Sequence, residues 1–186
     1  MTKIYNNLNK ILIYLFLSAS YLLSNDYLWP TDASKTITTV FGEIRSYRFH
    51  AGIDIRTYGK NGDNLYAISD GYISRISISS KGYGKAIYLT LNDGNTALYA
   101  HLSDYNKKID YLVKELQKQE GNYTIDKYFK SNQIPIKKGE VIGYTGDSGS
   151  LSGPHLHFEI RNKKGEPFNP FLTNLKINDT ISPLPK

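Results

Sequence analysis

The chain has 186 residues, enough for one domain of ordinary size, and 40% of them are hydrophobic with 16 Tyr among the aromatics, which excludes a disordered chain. It contains 0 Cys, which excludes a disulfide framework, a thiolate zinc finger, an iron–sulfur cluster and a thiol nucleophile, and leaves only 4 His and the carboxylates as metal ligands. The formal net charge of +6 is modest and comes without a long basic run, so no nucleic-acid partner is expected, although the charge can help hold the chain near an anionic polymer or surface.

Residues 1–24 carry Lys3 and Lys10 but no acid. Ile11 to Leu23 then runs uncharged, with Ser18 and Ser20 as its polar interruptions. The run is shorter than the roughly 20 apolar residues of a membrane-spanning helix. A basic start followed by a short apolar run is the pattern of a secretory signal, with Ser18-Ala19-Ser20 as a cleavage candidate and Ser24 as a second. The segment therefore reads as a signal peptide or an uncleaved signal anchor. Either one exports the downstream domain, to the periplasm or cell envelope, secreted or anchored by the uncleaved signal, with membrane contact through this segment alone.

Residues 25–40 contain Trp29-Pro30, show no periodicity and read as an entry segment. Strand and turn patterns begin at Ile37. Period-two alternation marks residues 71–79, and Ala86 to Leu91 is rich in β-formers. Asn92-Asp93-Gly94-Asn95 is a hairpin signal, with Thr96 to His101 as the returning strand. The texture then changes. Ile109, Leu112, Val113 and Leu116 have helical spacing, and Gly121 marks the stop. Residues 104–136 are thus an insertion in a β domain that spans 41–172. Val141 to Thr145 is a further strand, a Gly/Ser loop comes next, and His155 to Arg161 alternates cleanly. Residues 173–186 form a C-terminal tail. The fold class is mainly β, with antiparallel sheets and a small helical insertion.

Every histidine lies in or beside a strand. On an extended chain His50, Gly52 and Asp54 share a face, and the side-chain-free Gly52 leaves room between the imidazole and the carboxylate. His155 and His157 likewise share a face, and His101 ends a third strand. Each motif alone is weak: a lone His is more often a satisfied core or surface residue. Their conjunction in a chain without cysteine points to a metal centre. A catalytic zinc takes three protein ligands, and two His with one carboxylate is a known set. The remaining histidines are then available for acid–base work.

Three strings carry a family resemblance: Phe49-His50-Ala51-Gly52-Ile53-Asp54, then Tyr99-Ala100-His101-Leu102-Ser103, then Ser152-Gly153-Pro154-His155-Leu156-His157-Phe158-Glu159-Ile160-Arg161. Together with Asp70-Gly71, Gly82-Tyr83-Gly84 and Lys138 to Gly146, they resemble the lysostaphin-type zinc endopeptidases, whose known members cleave peptides of bacterial cell walls. The resemblance covers roughly Phe41 to Pro170 and implies an antiparallel β domain with a groove over the metal. It implies zinc held by His50, Asp54 and His157, with His101 and His155 as the catalytic histidines. It also implies a peptidoglycan peptide as substrate. Two other readings stand beside this one: a non-catalytic relative that binds wall or activates a separate hydrolase, and a zinc peptidase acting on a protein. Some relatives carry a long inhibitory segment before the domain; only a short stretch precedes the first motif here, so that form of self-inhibition is not expected. The 104–136 insertion directly succeeds His101 and is expected to border the groove, shaping substrate access or docking a protein partner.

Overall fold

The computed structural model describes residues 26–45, 48–150, 153–175 and 177. Residues 1–24, read above as a signal, and most of the C-terminal tail lie outside the described residues. In chain order the elements are β1 (Ile37–Thr39), β2 (Ile44–Arg45), β3 (Arg48–Phe49), β4 (Ile53–Arg56), β5 (Asn64–Tyr66) and β6 (Gly71–Ile78). Then come β7 (Lys85–Leu91), β8 (Thr96–Ala100), β9 (Asp104–Tyr105) and the helix α1 (Lys107–Glu120). The chain continues through β10 (Ile125–Tyr128), β11 (Pro135–Ile136), β12 (Val141–Tyr144), β13 (His155–Arg161) and β14 (Pro167–Phe168). The main sheet is antiparallel in the order β1-β4-β13-β8-β7-β6-β10, with β11 beside β6 and β14 beside β13. A smaller sheet, β5-β12-β9, adds Leu65, Ile142 and Tyr105 to the same core.

The period-two alternation of β13 divides the main sheet into two faces. Leu156, Phe158 and Ile160 are fully buried in a large apolar core with Ile53, Ile55, Tyr99, Ile87 and Leu89. His155, His157 and Glu159 therefore project from the opposite face. Residues 26–40 are part of this body, because β1 pairs with β4 and Tyr27 and Trp29 pack on the core.

The helix forms where its spacing predicts. Asn106 caps it by accepting the Ile109 amide at 2.9 Å, and Gly121 closes it at φ 60. Its position differs from expectation. Buried Ile109, Val113 and Leu116 belong to the large core, on the face of the sheet away from the histidines. Residues 122–136, aperiodic in sequence, supply β10 and β11 to the β6 edge. The insertion thus completes the core and one edge of the sheet and does not border the groove. A short β9 turns the chain after His101 toward the smaller sheet, so adjacency in sequence did not carry over into space.

Candidate metal centre

Register builds the site. On β13, His157 pairs with Asp54 of β4 on one side and with Ala100 of β8 on the other, so His101 emerges next to it. His50 lies between β3 and β4 rather than in one continuous strand with Asp54, because the chain bends at Gly52. Gly52 is needed for a different reason from the one its spacing suggests. A Cβ there would sit 2.3 Å from the Phe158 carbonyl oxygen, so the missing side chain makes room for the β13 backbone and not for a ligand.

The bend brings three atoms together. His50 Nε2 lies 3.0 Å from Asp54 Oδ1 and 2.9 Å from His157 Nδ1, and His157 Nδ1 lies 2.9 Å from the same Oδ1. The other nitrogen of each ring is committed elsewhere. His50 Nδ1 donates to the Val40 carbonyl at 2.9 Å, and His157 Nε2 donates to Glu159 Oε1 at 2.9 Å. Two imidazole lone pairs and a carboxylate oxygen therefore converge with no N–H of a neutral ring between them. Such a set is stable only with a proton or a metal cation among the three atoms. Its edges are close to the roughly 3.3 Å ligand separation that tetrahedral zinc with ~2.0 Å bonds requires, so these residues fit zinc.

The catalytic pair of the sequence reading is beside this set. His155 Nε2 is 3.6 Å from Asp54 Oδ1, and the His101 and His155 rings are 4.8 Å apart. Each holds its Nδ1–H on a backbone carbonyl, His101 on Ser148 at 2.8 Å and His155 on Gly153 at 2.9 Å. Each Nε2 is therefore the basic nitrogen when the ring is neutral. His101 has a left-handed backbone, φ 64, which is costly for a residue with a Cβ and is held by its amide bond to the Tyr83 carbonyl. The loop around Tyr83 closes on Ser148 only because Gly84, also left-handed, has no side chain: a Cβ there would meet the Ser148 backbone at 2.3 Å.

Charge follows geometry. Burial alone would raise the Asp54 carboxyl, but the His157 and His50 rings against it, when protonated, outweigh burial and hold the group far below the usual carboxylate range. Burial opposes charge on His157, yet Asp54 and Glu159 together raise its affinity for a proton. Burial pushes His101 down from 6.5 to about 4, so it is neutral at ordinary pH.

Sequence reasoning assigned no role to two groups here, Glu159 and Arg45. Fully buried Glu159 accepts from His157, from Arg161 Nε at 2.7 Å and from the Tyr83 hydroxyl. It fixes the ring of His157 in the tautomer that presents Nδ1 to the site. Its signal was present, since positions 157, 159 and 161 share one face of a strand. Arg45, from the β2–β3 hairpin, places Nη2 2.8 Å from Asp54 Oδ2, leaving Oδ1 to the histidines. Nothing in the local sequence pattern indicates that contact. Clefts open on either side of the centre, one lined by Arg45, Arg48, Phe49, Tyr83 and His101, the other by Thr38, Arg56, Tyr58 and His155.

A buried His–Asp–His set flanked by two further imidazoles, one in each cleft, makes a candidate metal centre. The model of Peptidase family M23 matches residues 48–119 and 122–170, and the chain belongs to that family. It is similar to the DD-carboxypeptidase/endopeptidase Mpg of Neisseria meningitidis, 33% identical over 127 residues, which cover 68% of this chain and 23% of that one. It is also similar to the murein hydrolase activator NlpD of Escherichia coli, 33% identical over 142 residues, covering 76% and 29%. The chain thus spans about a quarter of the length of these relatives. Among solved structures, the catalytic domain of the antimicrobial peptidase lysostaphin from Staphylococcus simulans aligns with TM-score 0.53 at 25% identity, covering 74% of this chain and 90% of that one. A zinc-containing peptidase from Vibrio cholerae shares the fold, with TM-score 0.56 at 24% identity over 76% of this chain and 37% of that one.

Proposed function

We propose that this protein is an exported zinc-dependent endopeptidase that hydrolyses peptide bonds in bacterial peptidoglycan. The observation that supports it most is the convergence of all four histidines and Asp54 on one centre between two clefts, with the ring tautomers fixed by Val40, Glu159, Ser148 and Gly153. His50, Asp54 and His157 would hold zinc, which when bound polarises the scissile carbonyl and acidifies water. His101 and His155 do the proton work. A neutral imidazole Nε2 accepts a proton from the attacking water, and an imidazolium returns one to the leaving amine. The carbonyls of Ser148 and Gly153 keep both rings in the competent tautomer. The cell-wall substrate is supported by the names of Mpg and NlpD. Export is supported by the basic and apolar pattern of residues 1–24.

The likeness to NlpD favours a second reading, an activator of another hydrolase. The complete set of His50, Asp54, His101, His155 and His157 favours the peptidase. The test is incubation of the zinc-loaded protein with purified peptidoglycan, followed by mass spectrometry of the released fragments. New amine termini, absent with His155→Ala, are expected; identical fragments from both proteins would overturn the enzymatic reading.

A further inference from the structure

The cleft is basic on both sides of the centre, and its arginines have not been used. On one side Arg45 and Arg48 rise from the β2–β3 hairpin, and on the other Arg56 lies beside His155. The placement of Arg56 comes from register: it is two residues past Asp54 on β4, hence on the same face, and pairs with His155 across the strands. Arg45 already spends one Nη on Asp54. Arg48 and Arg56 are exposed, and neither has a carboxylate partner among the described residues; Arg56 only stacks near Tyr58, 5.8 Å from the ring centre. Neither cleft has an Asp or Glu in its lining. The carboxylates at the centre are already taken, Asp54 by the histidines and Arg45, and Glu159 by His157, Arg161 and Tyr83.

Unpaired guanidinium groups flanking a cleft are fork-shaped donors suited to planar carboxylates. A neutral, glycine-rich peptide would leave both without a partner. The geometry points to a substrate peptide with free carboxylates on both sides of the scissile bond, one read by Arg48 and one by Arg56, which makes these two the specificity-determining residues. The net charge, still positive when Lys3 and Lys10 of residues 1–24 are set aside, steers an anionic polymer in the same sense. This inference rests on the peptidase reading and narrows its substrate class. The same pairing weakens with salt, because both side chains are open to solvent.

The test separates the two readings. A cross-linked peptide fragment is isolated from peptidoglycan, and half of it is converted to carboxamides at its carboxylates. Binding of both forms to the zinc-loaded His155→Ala protein is measured by calorimetry, and cleavage of both by the unsubstituted protein is monitored in parallel. The carboxylate form is expected to bind about tenfold more tightly, with Arg48→Gln and Arg56→Gln each reducing that ratio about threefold and the double variant bringing it near one. Arg→Lys at either position is expected to restore part of the ratio. Equal binding of the two forms, no binding of either, or a ratio indifferent to both substitutions would overturn the inference. Discrimination in binding without cleavage of either form by the unsubstituted protein would instead overturn the peptidase reading and leave the carboxylate preference standing.

Discussion

Replacing Glu159 by Gln is the most informative single perturbation, because it changes one atom in a fully buried side chain. The carboxylate accepts at Oε1 from His157 and Tyr83 and at Oε2 from Arg161. A glutamine has one acceptor oxygen. If it faces His157, its amino group confronts the Arg161 N–H; if it is flipped, the amino group confronts His157 Nε2 and drives that ring to the tautomer whose Nδ1 carries a proton. The first arrangement leaves a half-buried guanidinium without its partner, and the second removes a lone pair from the metal centre. Losing a charged acceptor in a buried network costs about 2–4 kcal/mol. Loss of a group that orients a metal ligand typically lowers metal affinity about 10–100-fold. Glu159→Gln should therefore lower the melting temperature and weaken zinc binding in competition with a chromophoric chelator. Zinc affinity within about twofold of the unsubstituted protein, with an unchanged melting temperature, would refute the positioning role.

Three further outcomes are expected. Gly52→Ala should cost about 2–4 kcal/mol and disrupt zinc binding, since the new Cβ meets the β13 backbone; denaturant melts and zinc titration check this, and a neutral effect would contradict the packing. His101, depressed to about 4, stays uncharged in the folded metal-free protein while the unfolded chain takes up a proton near 6.5. Stability should thus fall as pH drops from about 6.5 to about 4, and His101→Gln should flatten that slope in denaturant titrations; equal slopes would count against the assignment. Ile109→Ala should destabilise by about 2–4 kcal/mol while leaving zinc affinity and fragment specificity intact, because α1 serves the core; a change of specificity without loss of stability would return the insertion to the groove.

Legibility in the sequence tracked the range of the interactions. β6, β7, β8, β13 and α1 were readable because alternation, the Asn92–Asn95 turn and the Gly121 stop are local signals. β10 and β11 were not, because short edge strands owe their existence to the partner they pair with. The proximity of His50, Asp54 and His157 was legible only as a conjunction of motifs, since cross-strand register brings them together. The reason for Gly52 and the path of residues 104–136 were misjudged for one cause. Both depend on what lies opposite in space, the Phe158 carbonyl in one case and the shared apolar core in the other. Arg45 was invisible for the same cause, its partner being nine residues away across a hairpin.

The assignment of His50, Asp54 and His157 to the metal, with His101 and His155 kept for proton transfer, is tested most directly by elemental analysis of zinc in the purified protein and its five single alanine variants. The account predicts one zinc per chain, lost in His50→Ala, Asp54→Ala and His157→Ala and retained in His101→Ala and His155→Ala. Zinc retained at full occupancy without Asp54, or lost on removal of His101 alone, would contradict it.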